Sequence, residues 1–194
     1  MRVAIVKYNA GNNASVANAL VRVGVEPLIT DDAELLRSAD KVIFPGVGEA
    51  STAMAYLRDR KLDDVIRSLR QPVLGVCLGM QLLCASSEEN ETECLGILPY
   101  RVQRFSGGGL KVPHMGWNTI NDLRGPLLAE VADDEFVYFV HSYFVDSGAH
   151  TTAACTYGEK FTASLSYENF HAVQFHTEKS GKVGERILEN FLNL

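Results

Sequence analysis

Two short segments of the sequence combine residue types suited to acyl transfer through a thiol. In the first, Cys77 stands in Gly75-Val-Cys-Leu-Gly79, between an apolar run that predicts a buried strand and a run that predicts a helix from Leu78. Gly-x-Cys-x-Gly is the thiol counterpart of the Gly-x-Ser-x-Gly elbow, whose glycines permit a tight turn that exposes the nucleophile. N–H groups at the helix start favour the reactive thiolate. The alternative is a small buried core cysteine.

The second segment lies near the end of the chain, where an alternating apolar strand closes in His176-Thr-Glu178. Residues two apart in an extended strand project to the same side, so Glu178 can hold one imidazole nitrogen of His176 while the other nitrogen faces a thiol. A cysteine nucleophile, a histidine base and an orienting carboxylate form the general arrangement for acyl transfer through a thioester. A structural histidine at a strand end is the alternative.

The size and charge of the chain are those of an ordinary soluble protein. Its 194 residues suffice for one domain with a sizeable core, and we predict a single domain spanning 1–194. The formal net charge of −6 argues against nucleic acid as a partner. Residues 2–8 predict a strand and resemble neither a signal peptide nor a membrane span, so we expect a cytoplasmic protein that does not contact the membrane.

The cysteines and histidines do not show the spacing of a metal site. Without a secretory signal the thiols should stay reduced, so we expect no disulfide. Cys77 and Cys84 are predicted to lie two turns apart on one helix, and the remaining residues of both types are scattered singly. We therefore expect no metal and no cofactor, and local hydrogen-bonding roles for the isolated histidines, His114, His141, His150 and His171.

The first half of the chain alternates between apolar strands and helical patterns. This alternation predicts an α/β fold: an open, mostly parallel, twisted sheet with helices on both faces. Ligands bind beyond the carboxyl ends of such strands, where both Cys77 and the Gly46-Val-Gly48 turn are placed. Strands are predicted at 2–8, 27–29, 41–44 and 73–76, and helices at 15–23, 32–37 and across 49–70.

The second half predicts short strands that add to this sheet in antiparallel fashion. Tyr167-Glu-Asn-Phe170 is predicted as its tightest hairpin, with Asn169 supplying the left-handed geometry. The glycine-rich segment 106–109 is predicted as a hairpin tip, and a final amphipathic helix is predicted at 183–192. The strands are predicted at 96–105, 111–120, 136–140, 151–156, 163–166 and 171–175.

Five motifs together resemble one enzyme family. Val42-Ile-Phe-Pro-Gly-Val-Gly48, Gly75-Val-Cys-Leu-Gly-Met-Gln81 and Gln174-Phe-His-Thr-Glu-Lys179 resemble, in order, the three signature segments of class I glutamine amidotransferases. Lys111-Val-Pro-His-Met-Gly-Trp-Asn118 and Tyr138-Phe-Val-His-Ser-Tyr143 resemble the glutaminase subunits of imidazole glycerol phosphate synthases, a branch of that family. The resemblance covers the whole chain.

The resemblance implies an activity and a partner. Glutamine would be hydrolysed to glutamate and ammonia through a Cys77 thioester. Ammonia would pass to a separate cyclase subunit, which is built as a (β/α)₈ barrel and forms a heterodimer with this chain. That subunit would make imidazole glycerol phosphate and an aminoimidazole carboxamide ribotide. Two alternatives stay open: a glutaminase subunit of another synthase, and an inert regulatory subunit.

The motifs also assign residues to the site. The Leu78 N–H and the turn containing Val47 and Gly48 would form the oxyanion hole. The residues implied to contact glutamine are Gly46, Gln81, Glu89, Ser142 and Tyr143, and those implied to face the cyclase are Asn12, Trp117, Tyr138 and Lys179. Three of these have a simpler alternative: surface helix for Gln81, solvated acidic run for Glu89, core for Trp117.

Thr177 departs from the family pattern. Relatives usually have proline between the histidine and the glutamate, and proline would restrict the backbone there. We expect its replacement to loosen the His176–Glu178 geometry while leaving both catalytic side chains in place.

Overall fold

A seven-stranded sheet forms the centre of the structure, a computed structural model that describes residues 1–106 and 109–194. The hairpin tip predicted at 106–109 includes residues 107 and 108, which lie outside the described residues. The strands, in chain order, are β1 (Val3–Val6), β2 (Leu28–Thr30), β3 (Lys41–Gly46), β4 (Val73–Cys77), β5 (Cys84–Ser87), β6 (Thr92–Glu93), β7 (Leu98–Arg104), β8 (His114–Ile120), β9 (Glu135–His141), β10 (Tyr143–Val145), β11 (Thr151–Tyr157), β12 (Glu159–Tyr167) and β13 (Phe170–Val173).

Six α-helices accompany these strands in the described residues. None of them is long and apolar enough to cross a membrane. Short 3₁₀ turns occur at Glu89–Glu91, Pro126–Leu128 and Thr177–Lys179. The α-helices are α1 (Asn13–Arg22), α2 (Ala33–Arg37), α3 (Ala50–Asp59), α4 (Leu62–Ser68), α5 (Leu78–Leu83) and α6 (Gly181–Leu192).

The main sheet has the strand order β11-β12-β13-β4-β3-β1-β2. Strands β13, β4, β3, β1 and β2 pair in parallel, and β12 and β11 extend the β13 edge in antiparallel fashion. The predicted fold class is confirmed. Strand β4 lies between β3 and β13, so the three segments predicted to carry chemistry end at the same edge.

Alternating side chains of the sheet supply two cores. In β1, Ala4 and Val6 pack on the side of α2, α3 and α4, whereas Val3 and Ile5 pack on the side of α1 and α6. Neighbouring side chains of a strand point to opposite faces, so a strand covered on both sides is apolar throughout. This explains why β1 and β4 read as continuous apolar runs.

The prediction that every strand after residue 96 joins the main sheet is wrong for β7 to β10. Strands β10, β7, β5 and β6 form a separate four-stranded sheet, and β8 pairs with β9 as a two-stranded ribbon. Hydrophobic alternation determines which side of a strand is buried but not which strand it pairs with. Three of these strands (β5, β6 and β10) were not predicted.

Two local predictions also need correction. Cys84 does not lie on the helix that follows Cys77, because α5 ends at Leu83 and Cys84 begins β5, paired with Leu98. The hairpin between β12 and β13 closes at Tyr167 and Phe170 as predicted, but Glu168 takes the left-handed conformation, with φ 51°. Asn169 instead donates hydrogen bonds to the carbonyls of Leu69 and Gln71.

Candidate active site

Cys77 occupies a strained elbow between β4 and α5. Its backbone has φ 54° and ψ −111°, a region that non-glycine residues rarely adopt. Gly79 makes the turn possible, since a Cβ at that position would lie 1.8 Å from the Phe44 carbonyl oxygen. The elbow directs the Cys77 side chain into a cavity at the carboxyl edge of the sheet.

That cavity has a volume of about 270 Å³ and collects residues from five segments of the chain. It lies where a ligand is expected in an open parallel sheet. It is lined by Val47, Gly48, Cys77, Leu78, Gln81, Glu89, Pro113, Val140, His141, Ser142, Tyr143 and His176.

His176 and Glu178 form a buried pair beside Cys77. The His176 Nδ1 lies 2.7 Å from Glu178 Oε1, and both side chains are 1% exposed. His176 Nε2 has no hydrogen-bond partner among the described residues, so it is available to groups in the cavity. Burial alone lowers the pKa of His176, but Cys77 and Glu178 outweigh it and raise that pKa to about 10. Burial raises the pKa of Glu178, but His176 outweighs it and lowers that pKa.

Asn12 contacts this pair directly. Its Nδ2 donates to Glu178 Oε1 at 3.0 Å, so the side chain predicted to face a partner is committed to the carboxylate. A second donor on the same oxygen holds the carboxylate in place behind His176.

Gln174 is a functional candidate that the sequence analysis did not single out. Its Nε2 lies 3.7 Å from Cys77 Sγ, and its Oε1 accepts from Gln81 Nε2 at 3.0 Å. The available signal was a polar residue two positions before His176 in an apolar strand, hence on the same side as that histidine.

The turn after β3 contributes Val47 and Gly48 to the cavity wall, but Gly46 is not among the residues that line the cavity. Gly46 packs behind it, and a Cβ there would lie 2.4 Å from the Tyr8 hydroxyl oxygen. A direct contact of Gly46 with substrate stays a prediction. Val47 and Gly48 do line the cavity, but the Val47 N–H donates to the Ala10 carbonyl at 2.6 Å.

Four of the residues implied to contact glutamine, Gln81, Glu89, Ser142 and Tyr143, line the cavity. Gln81 is 4% exposed, which excludes the surface-helix alternative, and its Nε2 also donates to the Tyr143 carbonyl at 3.0 Å. Glu89 is half-buried and its Oε2 accepts from the Ala50 N–H at 2.7 Å; burial raises the pKa of this carboxylate. Ser142 lines the cavity beside Tyr143.

Two histidines expected to have local roles form a buried hydrogen-bonded chain that starts at the cavity wall with His141. His141 Nδ1 lies 2.7 Å from the Tyr143 carbonyl, His114 Nδ1 lies 3.0 Å from His141 Nε2, and Asn118 Nδ2 lies 3.3 Å from His114 Nε2. Burial lowers the pKa of His114 to about 4 and that of His141 to about 3, so both are neutral at pH 7. A carbonyl only accepts, so both imidazoles carry their proton on Nδ1.

The remaining residues predicted to face a partner lie on the outer face of the ribbon and next to it. Trp117 is 55% exposed, which excludes the core alternative, and its ring meets Tyr138 edge-on with centroids 5.9 Å apart. The Lys179 ammonium lies 5.7 Å from the centre of the Tyr138 ring. Met115 and Phe136 are exposed on the same ribbon and extend this apolar face.

The thiols of the other three cysteines are unreactive because they stay protonated. Burial raises the pKa of the Cys84 thiol well above its ordinary range, and raises those of Cys94 and Cys155 to about 12. Within residues 1–106 and 109–194, histidine, cysteine and carboxylate side chains do not gather into a group of three that would hold a metal ion.

The elbow, the cavity and the histidine–carboxylate pair are the features expected of an enzyme that transfers acyl groups through a cysteine thioester. The comparison with known families agrees with this class. The family model for class I glutamine amidotransferases matches residues 4–194, and the chain belongs to that family. Among named relatives, the imidazole glycerol phosphate synthase subunit HisH of Bacteroides fragilis is 56% identical, with all of both chains aligned. The HisH subunit of Escherichia coli is 44% identical, also with all of both chains aligned.

Solved structures agree at the level of fold. A crystal structure of a glutamine amidotransferase superposes with a TM-score of 0.77 at 20% identity, covering 100% of this chain and 98% of that chain. The structure of PurLQS from Thermotoga maritima superposes with a TM-score of 0.70 at 18% identity, covering 99% of this chain and 97% of that chain.

Proposed function

We propose that this chain is the glutaminase subunit of an imidazole glycerol phosphate synthase, acting as one domain over 1–194. The observation that carries the proposal is the convergence of the Cys77 elbow with the His176–Glu178 pair on one cavity. Relatives 44–56% identical over the full chain and named imidazole glycerol phosphate synthase subunit HisH support the same proposal.

The reaction begins with attack on the side-chain amide carbon of glutamine. The Cys77 thiolate adds to this carbon while the imidazolium of His176 holds the proton taken from the thiol. The resulting oxyanion needs N–H donors already in place, and Leu78 at the start of α5 supplies one. Collapse of the intermediate breaks the C–N bond, and His176 gives its proton to the departing ammonia.

The second half of the reaction releases glutamate. His176 takes a proton from water, which attacks the thioester carbonyl, and then returns it to the Cys77 sulfur as the C–S bond breaks. Glu178, held by Asn12, keeps the imidazole oriented through both halves. Gln81, Glu89, Ser142 and Tyr143 line the end of the cavity that would receive the ammonium and carboxylate of glutamine.

The turn at Val47 gives the site a means of regulation. Its N–H would be the second oxyanion donor, yet it donates to the Ala10 carbonyl at 2.6 Å. Loss of one such donor typically lowers the rate by about 10²–10³. We therefore expect slow glutamine hydrolysis by the free subunit, and acceleration when a partner with bound nucleotide reorients this peptide.

Ammonia protonates in water at neutral pH and is then no nucleophile, so its use requires a receiving partner. We propose a cyclase subunit with a (β/α)₈ barrel that docks on the ribbon face of Met115, Trp117, Phe136 and Tyr138 together with Lys179. Aromatic and cationic side chains are common anchors at interfaces. The four free cysteines fit a reducing compartment, and we propose the cytoplasm.

The test is glutamate release by the purified chain, alone and with a cyclase subunit holding its ribonucleotide, with Cys77→Ala as the control. We expect stimulation of about 10²-fold or more, abolished by Cys77→Ala. Turnover that ignores the cyclase would assign the glutaminase to another synthase, and no turnover in any mixture would favour an inert subunit.

Two substitutions test whether the cyclase binds the ribbon. Trp117→Ala removes the exposed tryptophan of the ribbon, and the control Leu28→Ala truncates an exposed apolar side chain on the edge strand β2. Trp117→Ala should weaken cyclase binding at least tenfold, and Leu28→Ala should not change it. Equal affinities would place the interface elsewhere.

A further inference from the structure

We propose that Gln174 is a catalytic residue, whose side-chain amide donates to the Cys77 sulfur and stabilises the thiolate that attacks glutamine. The proposal deepens the glutaminase chemistry above and depends on it for its physiological role. It adds a group that touches the reacting atom to the cysteine, histidine and glutamate.

Gln174 lies in the interior of the protein, where burial of its side-chain amide costs free energy. The residue is fully buried, and its neighbours in sequence, Val173 and Phe175, are buried apolar residues. A buried amide without hydrogen bonds costs free energy, whereas both ends of this one are paired. Its Nε2 meets Cys77 Sγ at 3.7 Å and its Oε1 meets Gln81 Nε2 at 3.0 Å.

The orientation of the amide follows from its neighbours. The Tyr143 carbonyl only accepts hydrogen bonds, so the Gln81 atom that faces it at 3.0 Å must be the NH₂ group. The same NH₂ group faces Gln174, which must therefore present its oxygen to Gln81. The NH₂ group of Gln174 is left to face the sulfur.

This bond favours the ionised form of the sulfur. In the thiol form, Sγ–H can donate to the Val140 carbonyl, 3.8 Å away. Transfer of that proton to His176 removes this hydrogen bond, whereas the Gln174 bond persists and becomes charge-assisted. A hydrogen bond to a charged group is worth about 1.5–3 kcal/mol, which corresponds to about 10-fold to 100-fold in the thiolate population.

The test compares two substitutions by the alkylation rate of Cys77 with iodoacetamide between pH 6 and 9. Gln174→Met removes the donor, and we expect alkylation at pH 7 to slow about 10-fold or more, with its pH profile displaced upward. Gln174→Glu keeps the shape and the bond from Gln81, but once its buried carboxyl group ionises it turns a charged oxygen toward the sulfur, so we expect a larger loss at the alkaline end of the range. A purely structural role predicts the reverse order, because only Glu keeps the oxygen that accepts the hydrogen bond from Gln81.

The matched control is Gln71→Glu, since Gln71 Nε2 donates to the Leu36 carbonyl away from the cavity. It should leave alkylation unchanged. Mass spectrometry assigns the label to Cys77, and urea unfolding shows whether each variant is folded.

A measurement on the unsubstituted protein covers the case in which a Gln174 variant does not fold. The side-chain amide resonance of Gln174 should shift as Cys77 ionises, and this shift should be absent in Cys77→Ala. A shift of the same size in both proteins, or alkylation fastest in Gln174→Glu, would overturn the proposal.

Glutamate release separates the two proposals. If the unsubstituted protein with its cyclase releases none, the proposed function fails, while the alkylation order still decides whether Gln174 stabilises the thiolate. If it releases glutamate but the alkylation order is reversed, only the role of Gln174 fails.

Discussion

At the scale of single residues, the same side chain has opposite properties in two places within the site. His176 lies against Glu178 and Cys77, which raise its pKa to about 10. His141 lies among Phe105, Phe161 and a second histidine, and burial lowers its pKa to about 3. The neighbours of His176 favour its protonated form, so this imidazole can transfer protons. The neighbours of His141 favour its neutral form, so this imidazole acts only as a hydrogen-bonding group.

Thr177 is the residue at which a single substitution should improve the protein. Its hydroxyl is buried and has no hydrogen-bond partner in the described part of the chain. It is the first residue of a 3₁₀ turn, a position that suits proline, and the preceding His176 is extended, with ψ 104°, as a residue before proline prefers. The pair at 2.7 Å shows that threonine retains the His176–Glu178 geometry.

We therefore predict that Thr177→Pro raises the free energy of unfolding by about 0.4–1 kcal/mol and leaves glutamate release unchanged. Thr177→Val, which removes only the hydroxyl, separates the polar contribution from the backbone contribution. Urea unfolding of the three proteins makes the comparison, and a less stable Thr177→Pro would show that the turn needs a freer backbone.

At the scale of elements, the strand–elbow–helix unit places the Cys77 sulfur in the cavity at the cost of some free energy of folding. Five parallel strands align their carboxyl ends, and the elbow at the end of β4 turns Cys77 out of the sheet with φ 54°. Such a conformation costs a non-glycine residue about 1–3 kcal/mol. The surrounding sheet and the close approach of Gly79 to Phe44 maintain it.

The strained backbone at position 77 predicts that glycine is more stable than alanine there, the reverse of the usual order. Cys77→Gly should be about 1 kcal/mol more stable than Cys77→Ala, because glycine adopts a positive φ without penalty. At Cys155, a buried cysteine of β11, the same pair should show the ordinary order, with alanine more stable. Urea midpoints of the four variants test this, and an alanine preference at position 77 would mean that the elbow is not strained.

At the scale of the whole molecule, the buried histidines set how stability depends on pH. His114 and His141 resist protonation when folded, so the unfolded chain binds up to two more protons as pH falls below about 6.5, the ordinary histidine value. His176 acts in the opposite sense, since the folded state keeps its proton up to about pH 10. Its contribution is complete below about pH 6.5 and is lost as pH rises.

We therefore predict greatest stability between about pH 6 and 7. On the acid side, between about pH 6 and 4, His114 and His141 should give a slope of about 2.7 kcal/mol per pH unit, the value for two protons, and His171, whose pKa burial also lowers, should add to it. On the alkaline side stability should fall as His176 loses its proton, by at most about 1.4 kcal/mol per unit, the value for one proton, and His176→Asn should remove this limb alone. Urea unfolding from pH 4 to 10 measures both limbs, and stability that rises steadily to pH 9 would contradict the assignment.

The sequence by itself determined the fold class and indicated the groups that we propose carry the chemistry. The apolar runs of β1 and β4, the Gly-x-Cys-x-Gly turn and the His-x-Glu spacing are local patterns, and each indicates its conformation through residues that are near neighbours along the chain. The strained backbone of Cys77 and the His176–Glu178 pair agree with these patterns.

Only the tertiary structure decided which distant groups meet. Asn12 and Glu178 are 166 positions apart, Gln174 and Cys77 are 97 apart, and neither contact follows from a local pattern. The same holds for the second sheet, because alternation within β7 and β10 defines their buried faces but not each other as partners. Backbone preferences and periodicity act over a few residues, whereas partner choice depends on the packing free energy of the whole chain.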